Sequence, residues 1–218
     1  MTSSRSRTIK ALIFGLCLLP FVLVVVAAFN LAGLSLGANP VEEIIHRLGV
    51  WGLRLLLATL AITPLRQLTG MNWLVRLRRM LGLFSFFYIL MHFLSYALID
   101  QRLDMTAIIE DILERPYITL GITAFTLMIP LAMTSTNKMM RRLGRQWQPL
   151  HRLVYLIAIL GVCHFYWQVK KDVLEPLVYA GILALLLGFR IVRRRRQLQT
   201  RGSKSGQVGR QERTHASA

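Results

Sequence analysis

Residues 148–171, QPLHRLVYLIAILGVCHFYWQVKK, make an apolar run long enough to cross a bilayer, yet they carry two imidazoles, His151 near the start and His164 near the end. A run of this length needs about 30 Å of hydrocarbon to hide in, which makes it a membrane-spanning helix. Ionisable side chains at membrane depth are costly and by default mark a functional site. A histidine there also offers a neutral ring nitrogen able to bind haem iron on a route for electrons.

Five more apolar runs, over residues 11–29, 48–65, 80–99, 117–134 and 176–192, extend the pattern. With 54% hydrophobic residues in 218, the chain reads as an all-α integral membrane protein, a six-transmembrane-helix bundle with the histidines inside it. The formal charge of +17 does not point to nucleic acid, because the cations sit in short segments between runs and in the C-terminal tail. Membrane lipid and topology account for them. Cys17 and Cys163 each lie inside an apolar run, too few and too far apart for a disulfide framework or a zinc site, and read as packing residues.

The chain divides into a basic leader (1–10), a membrane domain (11–192) and a basic tail (193–218), whose polar part, 197–218, is expected to be disordered. The first run is too long for a typical signal core and is expected to stay as a span, bent at Pro20. Residues 30–47 form an exposed loop ending in the short amphipathic pattern VEEIIHRL. Arg54, inside the second run, can snorkel to the interface or meet an anionic cofactor group. Between the third and fourth runs, LDMTAIIEDILERP reads as a short interfacial helix, apolar at Ile108, Ile109, Ile112 and Leu113. No internal repeat and no separate soluble domain is apparent.

Charge fixes an expected orientation. The leader, the loops around 66–79 and 134–149 and the tail hold most Lys and Arg with one acid, Glu212, whereas the other three loops hold nine of the ten acids. Positive-inside therefore predicts both termini in the cytoplasm. His92, twelve residues into the third run, and His164 then lie at matching depth on separate spans and are able to grip one haem near the outer face. His151 lies about 20 Å deeper by helical rise, at the cytoplasmic mouth, as a possible second station. Its helical phase does not match that of His164, so a bulge, or a helix start at or after His151, is required. The third run places Arg78 and Arg79 at that depth, suited to propionates, a flavin phosphate or a quinone headgroup. His46 and His215 read as solvated.

No Walker loop, GxSxG elbow, CxxC or HExxH motif occurs, and no loop has room for a dinucleotide-binding domain. The chain reads as an electron conduit rather than a complete enzyme. A non-redox permease or assembly factor, with histidines relaying protons or bracing the bundle, is the alternative.

The segments LGVWGLRLLLATLAITPLRQL, RLRRMLGLFSFFYILMHFLSYAL, RPYITLGI and AMTSTNKMMRRLGRQWQPLHRLVYLIAILGVCHFYWQVK resemble the haem-binding membrane subunits of the periplasmic methionine-sulfoxide reductase system, the MsrQ or YedZ family. The likeness runs over residues 10–192, and the chain is more distantly similar to the ferric-reductase and NADPH-oxidase transmembrane domain. It implies a multi-pass protein of the bacterial inner membrane holding haem b and FMN, with His92, His151 and His164 as candidate haem ligands. The implied donor is a cytoplasmic flavin reductase or the quinone pool. The implied acceptor is a periplasmic molybdopterin-containing methionine-sulfoxide reductase catalytic subunit; a cytochrome b-type ferric or quinone reductase with another acceptor fits the same histidines.

Overall fold

Lipid offers no hydrogen-bond partners, so a chain of apolar runs closes its backbone bonds within each run, and all regular elements among the described residues are helical. The computed structural model describes residues 3–169 and 172–216, with side chains placed for 7–169, 172–196 and 199. The helices are α1 (Ser3–Ala28), α2 (Pro40–Thr69), α3 (Val75–Leu94), α4 (Met105–Glu114), α5 (Pro116–Met133), α6 (Asn137–Leu143), α7 (Trp147–His151), α8 (Leu153–Gln168) and α9 (Leu174–Ala216). Among the described residues five helical stretches are long and apolar enough to span a membrane, and a sixth span results if α6 to α8, bent by 40°, act as one. This is a multi-pass membrane protein. The segments joining α1 to α2, α3 to α5 and α8 to α9 gather at one end of the bundle, the acidic end; the opposite end is basic.

The second span begins earlier than its apolar run. Asn39 accepts the Glu42 N–H at 3.4 Å, Pro40 takes the first helical position, and Glu42 and Glu43 sit in the first turn, where the helix dipole favours acids. Gly70, at φ 72°, closes the other end with its N–H on the Arg66 carbonyl. VEEIIHRL therefore opens α2 instead of ending a loop, which puts His46 on a helix with its side chain 41% exposed.

Prolines inside spans leave carbonyls unpaired, and side chains from other helices fill two of the gaps. Beside Pro20, the fully buried Tyr88 of α3 donates to the Cys17 carbonyl at 2.7 Å and accepts the Phe21 N–H at 2.9 Å, standing between the two ends of an opened turn. Pro64 has no N–H for the Leu60 carbonyl, and Arg190 Nη2 of α9 donates to it at 2.9 Å. Small residues bring α2 and α3 together: Ser85, also fully buried, donates to the Gly52 carbonyl at 2.8 Å. One apolar core joins α2, α5, α8 and α9 around Leu60, Ile157 and Ala158, and a second joins α1, α2 and α3 around Tyr88.

The π-helical turn Ser95–Asp100 ends the third span, and Tyr96 bonds Asp111 of α4 at 2.9 Å. Helix α4 is capped by Asp104, which accepts from Thr106 and Ala107, and is too short to span. Ile108 is buried on it while Ile109 and Leu113 face outward, as an interfacial helix requires. The fifth span breaks at Arg152, between α7 and α8, so α8 starts just after His151. That is one of the two devices the helical phase demands. Helix α9 is described to Ala216.

Candidate cofactor site

His92 of α3 and His164 of α8 face each other across the acidic half of the bundle, ring centres 6.1 Å apart and planes crossed at 82°. His92 Nδ1 lies 2.8 Å from the Ile45 carbonyl of α2, and His164 Nδ1 lies 2.6 Å from the Tyr117 carbonyl of α5. A carbonyl only accepts, so both rings carry the proton on Nδ1, which leaves each Nε2 as a lone pair. Neither Nε2 has a hydrogen-bond partner among the described residues. A metal–imidazole bond of about 2 Å, plus about 1.1 Å from nitrogen to ring centre, puts the centres of two imidazoles on opposite sides of one metal about 6.2 Å apart. The observed separation fits that span.

Both rings line a cavity of about 320 Å³, a size usual for small-molecule and cofactor pockets. Toward the bundle centre its wall is apolar, with Leu53, Leu56, Phe125, Met128 and Ile157. Toward the acidic end it becomes polar on every helix: Asn39 capping α2 and Glu42 and His46 on it, Tyr96 and Asp100 after α3, Arg115 and Tyr117 around α5, and Gln168 on α8. Such a cavity suits a flat amphiphile with its polar edge toward the acidic end. No cluster of three or more His, Cys, Asp or Glu able to hold a metal ion occurs among the described residues, so the imidazole pair suits a metal that brings its own in-plane donors.

The mouth carries two cationic or ionisable nitrogens. Arg115 pairs with Asp111 at 3.2 Å, and hydrogen bonding to Tyr117 together with the Asp111 charge holds its guanidinium above the ordinary range. His46 stands 4.0 Å from Glu175. Arg54 does not line the cavity; with its side chain 42% exposed it reaches the acidic end, where its Nε donates to Tyr179 at 2.7 Å and its Nη2 lies 3.4 Å from Glu175, tying α2 to α9. The run of apolar residues around Arg54 gave no sign of that partner, because Tyr179 and Glu175 are more than a hundred positions away.

His151 lies outside this cavity, beyond the bend and toward the basic end. Its ring stacks on Trp147 at 3.9 Å, its Nδ1 is 3.2 Å from the Trp147 carbonyl, the Leu131 backbone also bears on the ring, and its buried Nε2 makes no well-formed hydrogen bond among the described residues. Arg78 bears electrostatically on both His151 and Arg190, and Arg190 Nε is likewise buried and unpartnered. Arg79 is held apart, 2.6 Å from the side-chain oxygen of Asn137. The sequence has no Asp or Glu at 44–99, 116–171 or 176–211, so these cations sit on segments without carboxylates. Trp147 also edges a shallow hollow of about 470 Å³ with Met140, Gly144, Arg145 and Gln148. Arg190 was hidden from sequence reading among tail arginines; Pro64, four residues after Leu60, was the available signal. His215 lies outside the described side chains.

Residues 48–162 match the family model described as ferric reductase like transmembrane component. The chain is 59% identical over 160 residues, 73% of each chain, to the protein-methionine-sulfoxide reductase heme-binding subunit MsrQ of Xanthomonas campestris pv. campestris strain B100. The chain belongs to the MsrQ family. It is also 56% identical over 171 residues, 78% of each chain, to the MsrQ of Xanthomonas axonopodis pv. citri, and 51% identical over 189 residues, 85% of each chain, to that of Ralstonia nicotianae. No solved structure matches. The matched segment of the family model takes in His92 and His151 and ends two residues before His164, whereas the MsrQ alignments cover a larger share of the chain.

Proposed function

We propose that this chain is the haem b-containing electron-transfer subunit of a methionine-sulfoxide reductase system in the bacterial inner membrane. The observation that carries the reading is the pair of facing imidazoles, tautomers fixed and Nε2 atoms free, at the separation two axial ligands require. Bound there, haem supplies reversible one-electron chemistry. His92 and His164 would hold the iron, the apolar wall around Leu56 and Met128 would take the ring and exclude water, and His46 and Arg115 would receive the propionates at the mouth. With the basic end in the cytoplasm, as positive-inside predicts, the propionate edge would face the periplasm, where a molybdopterin-containing methionine-sulfoxide reductase would accept the electrons.

The basic end is the entry side. His151, with Arg78 near it and Arg190 in turn near Arg78, would form an inner station for a second haem, a quinone headgroup or the FMN phosphate, and Arg79 would contribute to the positive surface around it. A cytoplasmic flavin reductase or a membrane quinol delivers electrons at the hollow edged by Trp147. The subunit alone completes no reductase reaction; its catalysis belongs to the partner.

The test is the absorbance spectrum and haem content of purified His164→Ala protein beside wild type. Loss of the low-spin haem spectrum is expected. A wild-type spectrum in the variant, or a wild-type protein with no Soret band, overturns the reading.

A further inference from the structure

The two histidines are held in the same way by residues a constant distance apart. Ile45, Gly49 and His92 make one set; Tyr117, Gly121 and His164 make another, each member 72 positions after its counterpart. In both sets the Nδ1-to-carbonyl contact joins residues 47 positions apart. The local sequences agree: Leu48-Gly49-Val50 with Leu120-Gly121-Ile122, and His92-Phe93 with His164-Phe165. Helices α2 and α5 run toward the basic end, and α3 and α8 run back, so the two pairs face each other as an approximate twofold axis along the bundle would arrange them. The internal repeat that the whole sequence hides is confined to the residues around the imidazoles.

Within each set the glycine stands one turn after the carbonyl, where a helical N–H already occupies one of that carbonyl's lone pairs. The imidazole reaches the other lone pair only by lying flat over the next turn. A Cβ on Gly49 would come 3.0 Å from His92 Nδ1 and 3.1 Å from its Cε1. A Cβ on Gly121 would come 2.8 Å and 2.9 Å from the same atoms of His164. The ring is rigid, so a displaced Nδ1 edge also re-aims Nε2.

We propose that the site is two copies of one half-site, carbonyl, glycine and histidine, in which Gly49 and Gly121 are positioning residues that set the tautomer, tilt and axial reach of the two ligands. This rests on the haem reading above, and the test separates the two. Wild type, Gly49→Ala, Gly121→Ala and Gly82→Ala are purified with haem and compared by absorbance and ferric electron paramagnetic resonance. Gly82 shares α3 with His92, and its Cβ would meet only Thr59 at ordinary contact distance, 3.7 Å.

Both site variants are expected to lose most of the low-spin signal to a high-spin, five-coordinate form, Gly121→Ala more than Gly49→Ala because its contacts are shorter, while Gly82→Ala keeps the wild-type spectrum. Wild-type spin state in both site variants, with haem bound, overturns the proposal but leaves the haem reading intact; haem-free wild type overturns both. If neither alanine variant is recovered from the membrane, electron–nuclear double resonance on wild type decides. A slowly exchanging, hydrogen-bonded Nδ1 proton on each axial imidazole supports the proposal, and a freely exchanging one on either overturns it.

Discussion

A histidine at membrane depth is identified by its cost, but what it does is set by the group on its other nitrogen. For His92 and His164 that group is a backbone carbonyl, which sequence cannot announce, since every residue has one. Matched depth was legible because both lie on spans running the same way; the glycine under each ring was visible only as composition. His46 was misplaced for a related reason: acids before an apolar run read as loop, although an Asn-Pro start with acids in the first turn is also how a helix begins. The crossed ring planes, at 82°, lead to a prediction at this scale. Perpendicular axial imidazoles leave two iron d orbitals nearly degenerate, which makes a low-spin ferric signal strongly anisotropic. A haem held by this pair, as proposed, is therefore expected to show a single broad, large-gmax feature, and a rhombic spectrum with three well-resolved g values would mean the rings turn parallel on binding.

Elements were the most legible scale, because six apolar runs leave the backbone little choice but helix, and their prolines marked where those helices open. What fills the openings was not legible: Tyr88 and Arg190 come from sequence distances of 67 and 130 residues. These repairs carry measurable stability. Tyr88→Phe keeps the packed ring but leaves the Cys17 carbonyl and Phe21 N–H of α1 without their bridge, and buried polar groups left unpaired cost about 1–3 kcal/mol. Detergent-solubilised Y88F is expected to unfold at lower temperature, with α1 exchanging its amide protons first. An unchanged melting point would show that water or local helix closure replaces the hydroxyl. Arg190→Leu removes the donor on Leu60 and is expected to cost a similar amount, together with reduction of the haem by a quinol or flavin donor if Arg190 belongs to the inner station. A loss of stability alone, with donor kinetics intact, would confine Arg190 to bracing the bundle.

For the whole molecule, the sorting of charge to opposite ends was readable at once, whereas the duplication that builds the site was not, because only residues touching the imidazoles retained it. Charge sorting has a consequence for partnership. Asp104, Glu110, Asp111 and Glu114 lie in and beside α4 at the acidic end, the end toward which the cavity's polar edge is turned. Asp111 is engaged by Arg115 and Tyr96, while Glu110 and Glu114 are exposed. If the periplasmic acceptor docks over this face, complementary charge would speed its association and salt would screen the attraction over about 8–10 Å. Electron transfer from reduced haem to the catalytic subunit is then expected to slow as ionic strength rises. Glu110→Gln with Glu114→Gln should lower the association rate and flatten the salt dependence, without altering the haem spectrum. A rate indifferent to salt in both proteins would place the docking face elsewhere and leave the acidic end explained by membrane topology alone.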